Sequence, residues 1–392
     1  MYNLKPTLVI LALSFAVINP TSSALLLSSP AKADDAICCL ERKPSVELNH
    51  EIIARGLDTP WSVAFLSDGS FLVTERAGTL RHVKNGVLSA PFSGLPKIDD
   101  NGQGGLLDLA LDPDFSNNNT IYFSYSEPSA DGKKSGTAVA RAQVSLTTKQ
   151  LTSLETIFTS NIKGRGGRHF GSRIRFAPDK TLYVTLGDRG NPSRAQDPFD
   201  HAGSIIRINR DGSIPSDNPA FDGKHALPEI WSIGHRNPQG ATIDPVSAAL
   251  WTTSHGDAGG DEVNKPQIGR NYGWPLISYG KTYSGGGYKL GNSAPGYEQP
   301  KYYWDPSIAP SGLTFYDPPN PAIPSWKGSL LAGALRGELL SRLILKSEQV
   351  IAEERYFEGE FGRIRDIKVG PDGAVYLLTD GWDGIVVRLT EK

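Results

Sequence analysis

The sequence predicts an all-β chain folded as a six-bladed β-propeller with four-stranded antiparallel blades. Three observations carry this. First, one phrase, an apolar pair followed by a turn and a β-rich run, occurs six times: AFLSDGSFLVTE (64–75), ALDPDFSNNNTIYFSY (110–125), RFAPDKTLYVTLGD (175–188), TIDPVSAALWTTSHG (242–256), TFYDPPNPAIPSWKGSLLAGA (314–334) and KVGPDGAVYLLTD (368–380). Second, its turn residues Asp68, Asp114, Asp179, Pro245, Asp317 and Asp372 are 46, 65, 66, 72 and 55 residues apart, the scale of supersecondary units rather than solenoid coils. Third, 42 Gly and 28 Pro in 392 residues are many for a helical protein. A ring of four-stranded sheets accommodates such units. Length alone allows six, seven or eight blades; the repeat count selects six.

Taken in chain order, residues 1–33 read as an export signal: Lys5, an apolar run from Leu8 to Ile18, then Ala31-Lys32-Ala33. The run is shorter than the roughly 20 residues a membrane helix needs, so the mature chain has no membrane span and is expected in the periplasm or outside the cell. An uncleaved anchor is the alternative. Residues 34–45 form an N-terminal tail with Cys38 and Cys39, which are adjacent and cannot staple the fold. An intermolecular disulfide, a free thiol pair, or no role are the readings left for them. Residues 46–392 form one propeller domain. Each phrase is a hairpin, because Asp-Gly and Asp-Pro turns separate runs rich in Val, Leu, Tyr, Phe and Thr. The surplus over four short strands falls in loops such as 189–228 and 276–303. VELNHEIIA (46–54) pairs with GIVVRLT (384–390) and closes the ring.

With 40 basic and 42 acidic residues, nothing global points to nucleic acid or an anionic membrane. Function must lie in local clusters, and five qualify. GGRHFGSRIRF (166–176) offers Arg168, His169 and Arg173 among glycines that permit close approach to a ligand. GHRNPQG (234–240) presents Arg236, Asn237 and Gln239. SHGDAGGDEVN (254–264) is rich in carboxylates and exposed carbonyls, the oxygens a hard cation takes, although it lacks EF-hand spacing. In GRIRDI (362–367), strand alternation sends Arg363 and Arg365 to one face, where they need an anionic ligand or an internal carboxylate. NGQGGLLDLALDPDF (101–115) holds Gln103 in a glycine-flanked loop. Together the clusters ask for a compact polyanion, with a metal and one imidazole nearby.

Seven of the chain's phrases, GLDTPWSVAFLSDG, GQGGLLDLALDPDF, GGRHFGSRIRFAPD, EIWSIGHRNPQG, GGDEVNKPQIGRNYGWPL, IAPSGLTFY and RIRDIKVGPDG, resemble the soluble pyrroloquinoline quinone (PQQ) dependent sugar dehydrogenases, aldose type, in the family's order. The resemblance implies a six-bladed propeller holding PQQ, a planar quinone with three carboxylates, together with Ca²⁺. It implies oxidation of an aldose at the C1 hydroxyl to a lactone, with electrons passed to an external acceptor. His169 would be the general base as hydride passes to the quinone C5, and Arg236 would stabilise charge on the quinone oxygen. Gln103, Asn237, Arg363, Arg365 and Ser307 would hold the cofactor. The backbone carbonyls of Gly256 and Asp257 would bind its Ca²⁺, and Glu298 a second, structural calcium. Compared with the glucose-specific branch, Arg168 replaces an acidic residue, His255 a Gln, and Leu335 a cofactor-binding Lys, with Arg336 adjacent and within reach; the resemblance counts Arg168, His255 and Arg336 among the cofactor-binding residues. Two rivals remain: a calcium-dependent propeller lactonase or esterase, and a non-catalytic ligand-binding propeller. The sequence leaves monomer or dimer open.

Overall fold

The computed structural model describes residues 1–2, 37–219, 221 and 226–392; apart from residues 1–2, the export signal read at 1–33 lies outside the described residues. Each repeated phrase becomes the first two strands of one blade. Blade 1 begins with Pro60–Phe65 and Phe71–Glu75, blade 2 with Leu106–Leu111 and Thr120–Pro128, and blade 3 with Ile174–Phe176 and Leu182–Thr185. Blades 4, 5 and 6 begin with Pro238–Ile243 and Leu250–Ser254, Pro310–Tyr316 and Ser329–Ala334, and Ile364–Val369 and Val375–Thr379. Six separate antiparallel sheets result, and the first strands of neighbouring blades touch to form the inner ring. The turns form for a local reason. The Asp68 carboxylate accepts the Ser70 N–H at 3.0 Å, and Asp179 and Asp372 do the same for Thr181 and Ala374. In blade 4 this role falls to Asp244, which accepts from Val246, rather than to Pro245.

Leu48–Leu57 pairs antiparallel with Gly384–Glu391, from Leu48 opposite Glu391 to Leu57 opposite Gly384, and so completes blade 6. Part of the N-terminal tail is built into the fold: Glu41–Arg42 adds a fifth, parallel strand to blade 5, and Ile37 and Leu40 pack on the core beside it. Cys38 and Cys39 are bonded to each other, which replaces the intermolecular and free-thiol readings. The loop read at 189–228 contains a strand, Ser204–Ile208, and the longest excursion runs from residue 265 to 301 within blade 4.

Apolar side chains fill the gaps between blades, with Trp251, Trp304 and Trp326 fully buried. The axis of the ring is filled differently. Asp108 of blade 2 and Asp366 of blade 6 both bond the Nη1 of Arg173, at 3.2 and 2.8 Å, and all three side chains are fully buried. Ser62 of blade 1 donates to Asp108 at 2.6 Å, and Arg173 also donates to the carbonyls of Gln239 and Arg365. Burial works to raise the Asp108 carboxyl, but Arg175, Arg173 and Lys368 outweigh it and hold it below the ordinary value. Arg173 is therefore an axial pin joining the blades and not a ligand group, because its side chain is fully buried and each of its three guanidinium nitrogens is bonded inside the protein.

Candidate active site

The starts of the inner strands open onto a cavity of about 340 Å³. Trp61, Leu107 and Phe170 give it apolar walls; Gln103, Asn237 and Gln239 supply amides. Arg76, Arg363 and Arg365 bring three cations against a single carboxylate, Asp380. Arg363 Nε and Arg365 Nη2 both bond Asp380 Oδ2, at 3.1 and 3.2 Å. The internal carboxylate considered for this pair thus exists, yet one acid cannot neutralise the cations. Arg365 Nε is moreover a buried donor with no partner among the described residues.

His169 sits at the rim. Its N–H donates to Gln103 Oε1 at 2.7 Å, and the next two residues, Phe170 and Gly171, line the cavity. The residue has φ 55°, a left-handed conformation that a histidine adopts only when its surroundings impose it. Those surroundings are the glycines. A Cβ on Gly187 would lie 2.2 Å from the His169 carbonyl, and one on Gly171 2.6 Å from the Thr185 carbonyl. The glycines around His169 thus serve close approach between backbone segments rather than approach to a ligand.

The His169 ring is 12% exposed, and its Nδ1 lies 2.7 Å from Asp188 Oδ1. Asp188 also accepts from the Gly190 N–H and, through Oδ2, from Trp274 Nε1 at 2.8 Å. Burial works to raise the Asp188 carboxyl, but the His169, Gly190 and Trp274 hydrogen bonds hold it below its ordinary value. An ionised Asp188 accepts the Nδ1 proton, so the lone pair of Nε2 is free; Nε2 bonds none of the described residues. Burial lowers the His169 pKa, Asp188 pulls it back up, and the charges of Arg236 and Arg168 lower it. The imidazole is neutral at pH 7 and able to take a proton. Asp188→Asn is expected to cut turnover by on the order of 10² or more, because an amide can hold the wrong tautomer. It should also move the acid limb of the pH–rate profile to lower pH, since a charge that raises the pKa is gone; an unmoved limb in that profile would show the pair is not coupled.

Arg236 is buried beside this pair. Its Nη2 bonds Asp257 Oδ1 at 2.5 Å, the other Asp257 oxygen accepts from Tyr288 at 2.9 Å, and the guanidinium lies 5.2 Å from the Trp274 ring. Trp274 thereby braces both Asp188 and Arg236. Residues 57–388 match the glucose/sorbosone dehydrogenase family model. The chain belongs to that family. It is 41% identical over 351 residues to the aldose sugar dehydrogenase YliI of Escherichia coli K12, covering 88% of this chain and 93% of that one. The apo crystal structure of the soluble E. coli aldose sugar dehydrogenase superposes with TM-score 0.84 at 41% identity over 88% of this chain and all of that one. The PQQ-bound aldose sugar dehydrogenase of Streptomyces coelicolor gives 0.74 at 29%, covering 89% and 100%.

Within this glucose/sorbosone dehydrogenase fold, Gln103, Asn237, His255, Arg363 and Arg365 converge on the cavity, with His169 and Arg236 beside it. His255 donates through Nε2 to the Pro310 carbonyl at 2.8 Å, and burial pushes its pKa down to about 3, so it is neutral. Arg168 is exposed and lies over Gly190. Two of the residues expected to hold the cofactor stand outside the cavity: Ser307 donates to Asp261 at 2.6 Å, and Arg336 is exposed while Leu335 forms the wall. Glu298, expected at a separate structural calcium, lies 3.6 Å from Arg270 at another pocket. The sequence reading overlooked Asp188, Asp380 and Trp61. A signal for the first two existed: the third and sixth repeats both close on an aspartate, just past the second strand of the blade.

Calcium has no cluster of three acidic, His or Cys side chains among the described residues. The turn at 256–260 offers backbone oxygen instead: a Cβ on Gly256 would lie 2.2 and 2.5 Å from the carbonyl oxygens of Gly259 and Gly260.

Proposed function

We propose that this chain oxidises aldose sugars at the C1 hydroxyl to lactones, using PQQ and Ca²⁺ and passing the electrons to an external acceptor. The observation that carries the reading is a neutral histidine with a free Nε2 at the rim of a cavity holding three cations, one carboxylate and an orphaned guanidinium donor. That donor set fits a planar tricarboxylate: Arg363 and Arg365 would take carboxylates, Asn237 and Gln103 carbonyls or carboxylates, and Trp61 and Phe170 the ring faces. When bound, PQQ supplies the two-electron acceptor. The carbonyls of Gly256 and Asp257 would hold the Ca²⁺.

The protein's own part is proton handling and charge. His169 Nε2 takes the proton of the C1 hydroxyl as general base, and Asp188 keeps the ring in the competent tautomer and stabilises the imidazolium. Arg236, fixed by Asp257 and Trp274, is a preorganised positive charge that would stabilise the negative charge developing on the quinone oxygen. The sugar is bound at the rim, where the loop 265–301 supplies Tyr283 and Tyr288. Export fits the apolar run at 8–18.

The test is dye reduction by purified, metal-stripped protein with a panel of aldoses, adding PQQ and Ca²⁺ separately and together. Activity only with both present is the expected result. No activity, together with an unchanged PQQ absorption spectrum, overturns the reading and leaves the calcium-dependent lactonase and the ligand-binding propeller.

A further inference from the structure

The inner strands that start at the catalytic cavity end at the opposite mouth of the ring. There residues 63–65, 109–111, 174–176 and 368–369 line a second hollow, of about 350 Å³, shallower and more open to solvent than the first. Its walls are apolar. Phe65, Leu111, Phe176 and Val369 are half-buried and pack on the cores between blades. Set into them are two cations, Arg175 and Lys368, which are only 15% and 20% exposed.

The charges of the axis do not balance at this end. The carboxylates bonded or paired with Arg173, Arg175 and Lys368 are Asp108 and Asp366, three cations to two acids. Both carboxylates are already heavily engaged. Asp108 accepts from Ser62, Arg173, Arg175 and the Ile174 N–H, and Asp366 accepts from Arg173 and the Val63 N–H and shares the Ser62 hydroxyl at 3.2 Å. Arg175 spends Nε on the Ala241 carbonyl and Nη1 on Asp108 and the Ile174 carbonyl, which leaves Nη2 without an acceptor among the described residues. Lys368 Nζ comes no nearer to Asp366 than 3.4 Å and makes no hydrogen bond to the described residues. Burial and the neighbouring Arg175 both disfavour its charge. Neither Lys368 Nζ nor Arg175 Nη2 is among the fully buried polar atoms left without a partner, so both free donors face the open mouth, where an anion can reach them.

We propose that this far mouth binds a monocarboxylate with a short apolar tail, its carboxylate between Lys368 and Arg175 and its tail against Phe65, Leu111, Phe176 and Val369. One excess positive charge calls for one negative charge. Two sets of free donors on neighbouring cations match the two oxygens of a carboxylate. The apolar rim excludes strongly hydrated inorganic anions and rewards a hydrocarbon tail.

The probe is hexanoate, titrated calorimetrically into the full chain at low salt. One saturable hexanoate per chain is expected, with acetate, which lacks the tail, and 1-hexanol, which lacks the charge, each weaker by at least about tenfold. Lys368→Met should weaken hexanoate by at least about tenfold. Leu111→Glu, at a half-buried position that tolerates a polar group, should do the same by placing a like charge in the mouth. Arg363→Ala, at the catalytic mouth, should leave the affinity within about twofold, since the two mouths lie at opposite ends of the axis. The proposal fails if hexanoate shows no saturable binding, or if both Lys368→Met and Leu111→Glu bind it as the parent does. It also fails if the binding is lost in Arg363→Ala instead, which would place the anion at the catalytic cavity.

Discussion

His169→Ala is expected to lower turnover by at least about 10² while PQQ binding persists. The two effects separate because different groups carry them. Proton removal rests on the free Nε2 that Asp188 prepares, whereas the cations and amides facing the cavity belong to Arg363, Arg365, Asn237 and Gln103. Gln103 is held by the His169 backbone N–H, which the substitution retains. Steady-state rates measured beside a PQQ absorption titration check both halves. Unchanged turnover would remove His169 as the base; lost PQQ binding would mean that the ring, and not only its neighbours, shapes the cavity.

Asp108→Ala should destabilise the fold by about 3–5 kcal/mol, the usual consequence of removing one partner from a buried ionic network. Arg173 and Arg175 would keep their charges and lose a shared acceptor, while the Ile174 N–H would lose its own and Ser62 would be left with Asp366 at 3.2 Å. The direction with pH follows from the lowered carboxyl. Its folded-state pKa lies below the ordinary 3.8, so the contribution is complete above about pH 4 and is lost as pH falls through the folded value. Denaturant titrations of both proteins at pH 7 and pH 3 test this: the gap should be full at pH 7 and narrower at pH 3. A difference below about 1 kcal/mol at pH 7 would mean that the axis relaxes around the vacancy.

What could be read from the sequence was what is local. The hairpins were legible because an aspartate caps the amide two residues on, a contact visible in six or seven letters, and because β-rich runs flank it. Ring closure was legible from two apolar strands left over at the two ends. The candidate site was legible where its members stand at the starts of inner strands, His169, Asn237 and Arg363 just before them and Arg365 at the second residue of its own. It failed where the partner is distant. Arg173 looked like part of the rim because its acceptors are 65 and 193 residues away, and only the closed ring brings them to it. Asp188 passed as a strand-end residue because its contact with His169 requires the hairpin between them to fold back. Arg336 was expected to reach the cavity on adjacency alone, but one residue along a chain can mean the opposite face.

Closure by the strand Leu48–Leu57 has a consequence for the order in which the molecule assembles. Asn49 bonds the Glu391 carbonyl across 342 residues, so a strand made early must wait, edge exposed, until Gly384–Glu391 has been made. Five blades can zip up hairpin by hairpin; the sixth is a latch that no partial chain can fasten. Loss of the final strand, Gly384–Glu391, would therefore leave an open arc with two unpaired edges instead of a slightly shorter ring, and such edges pair with those of other chains.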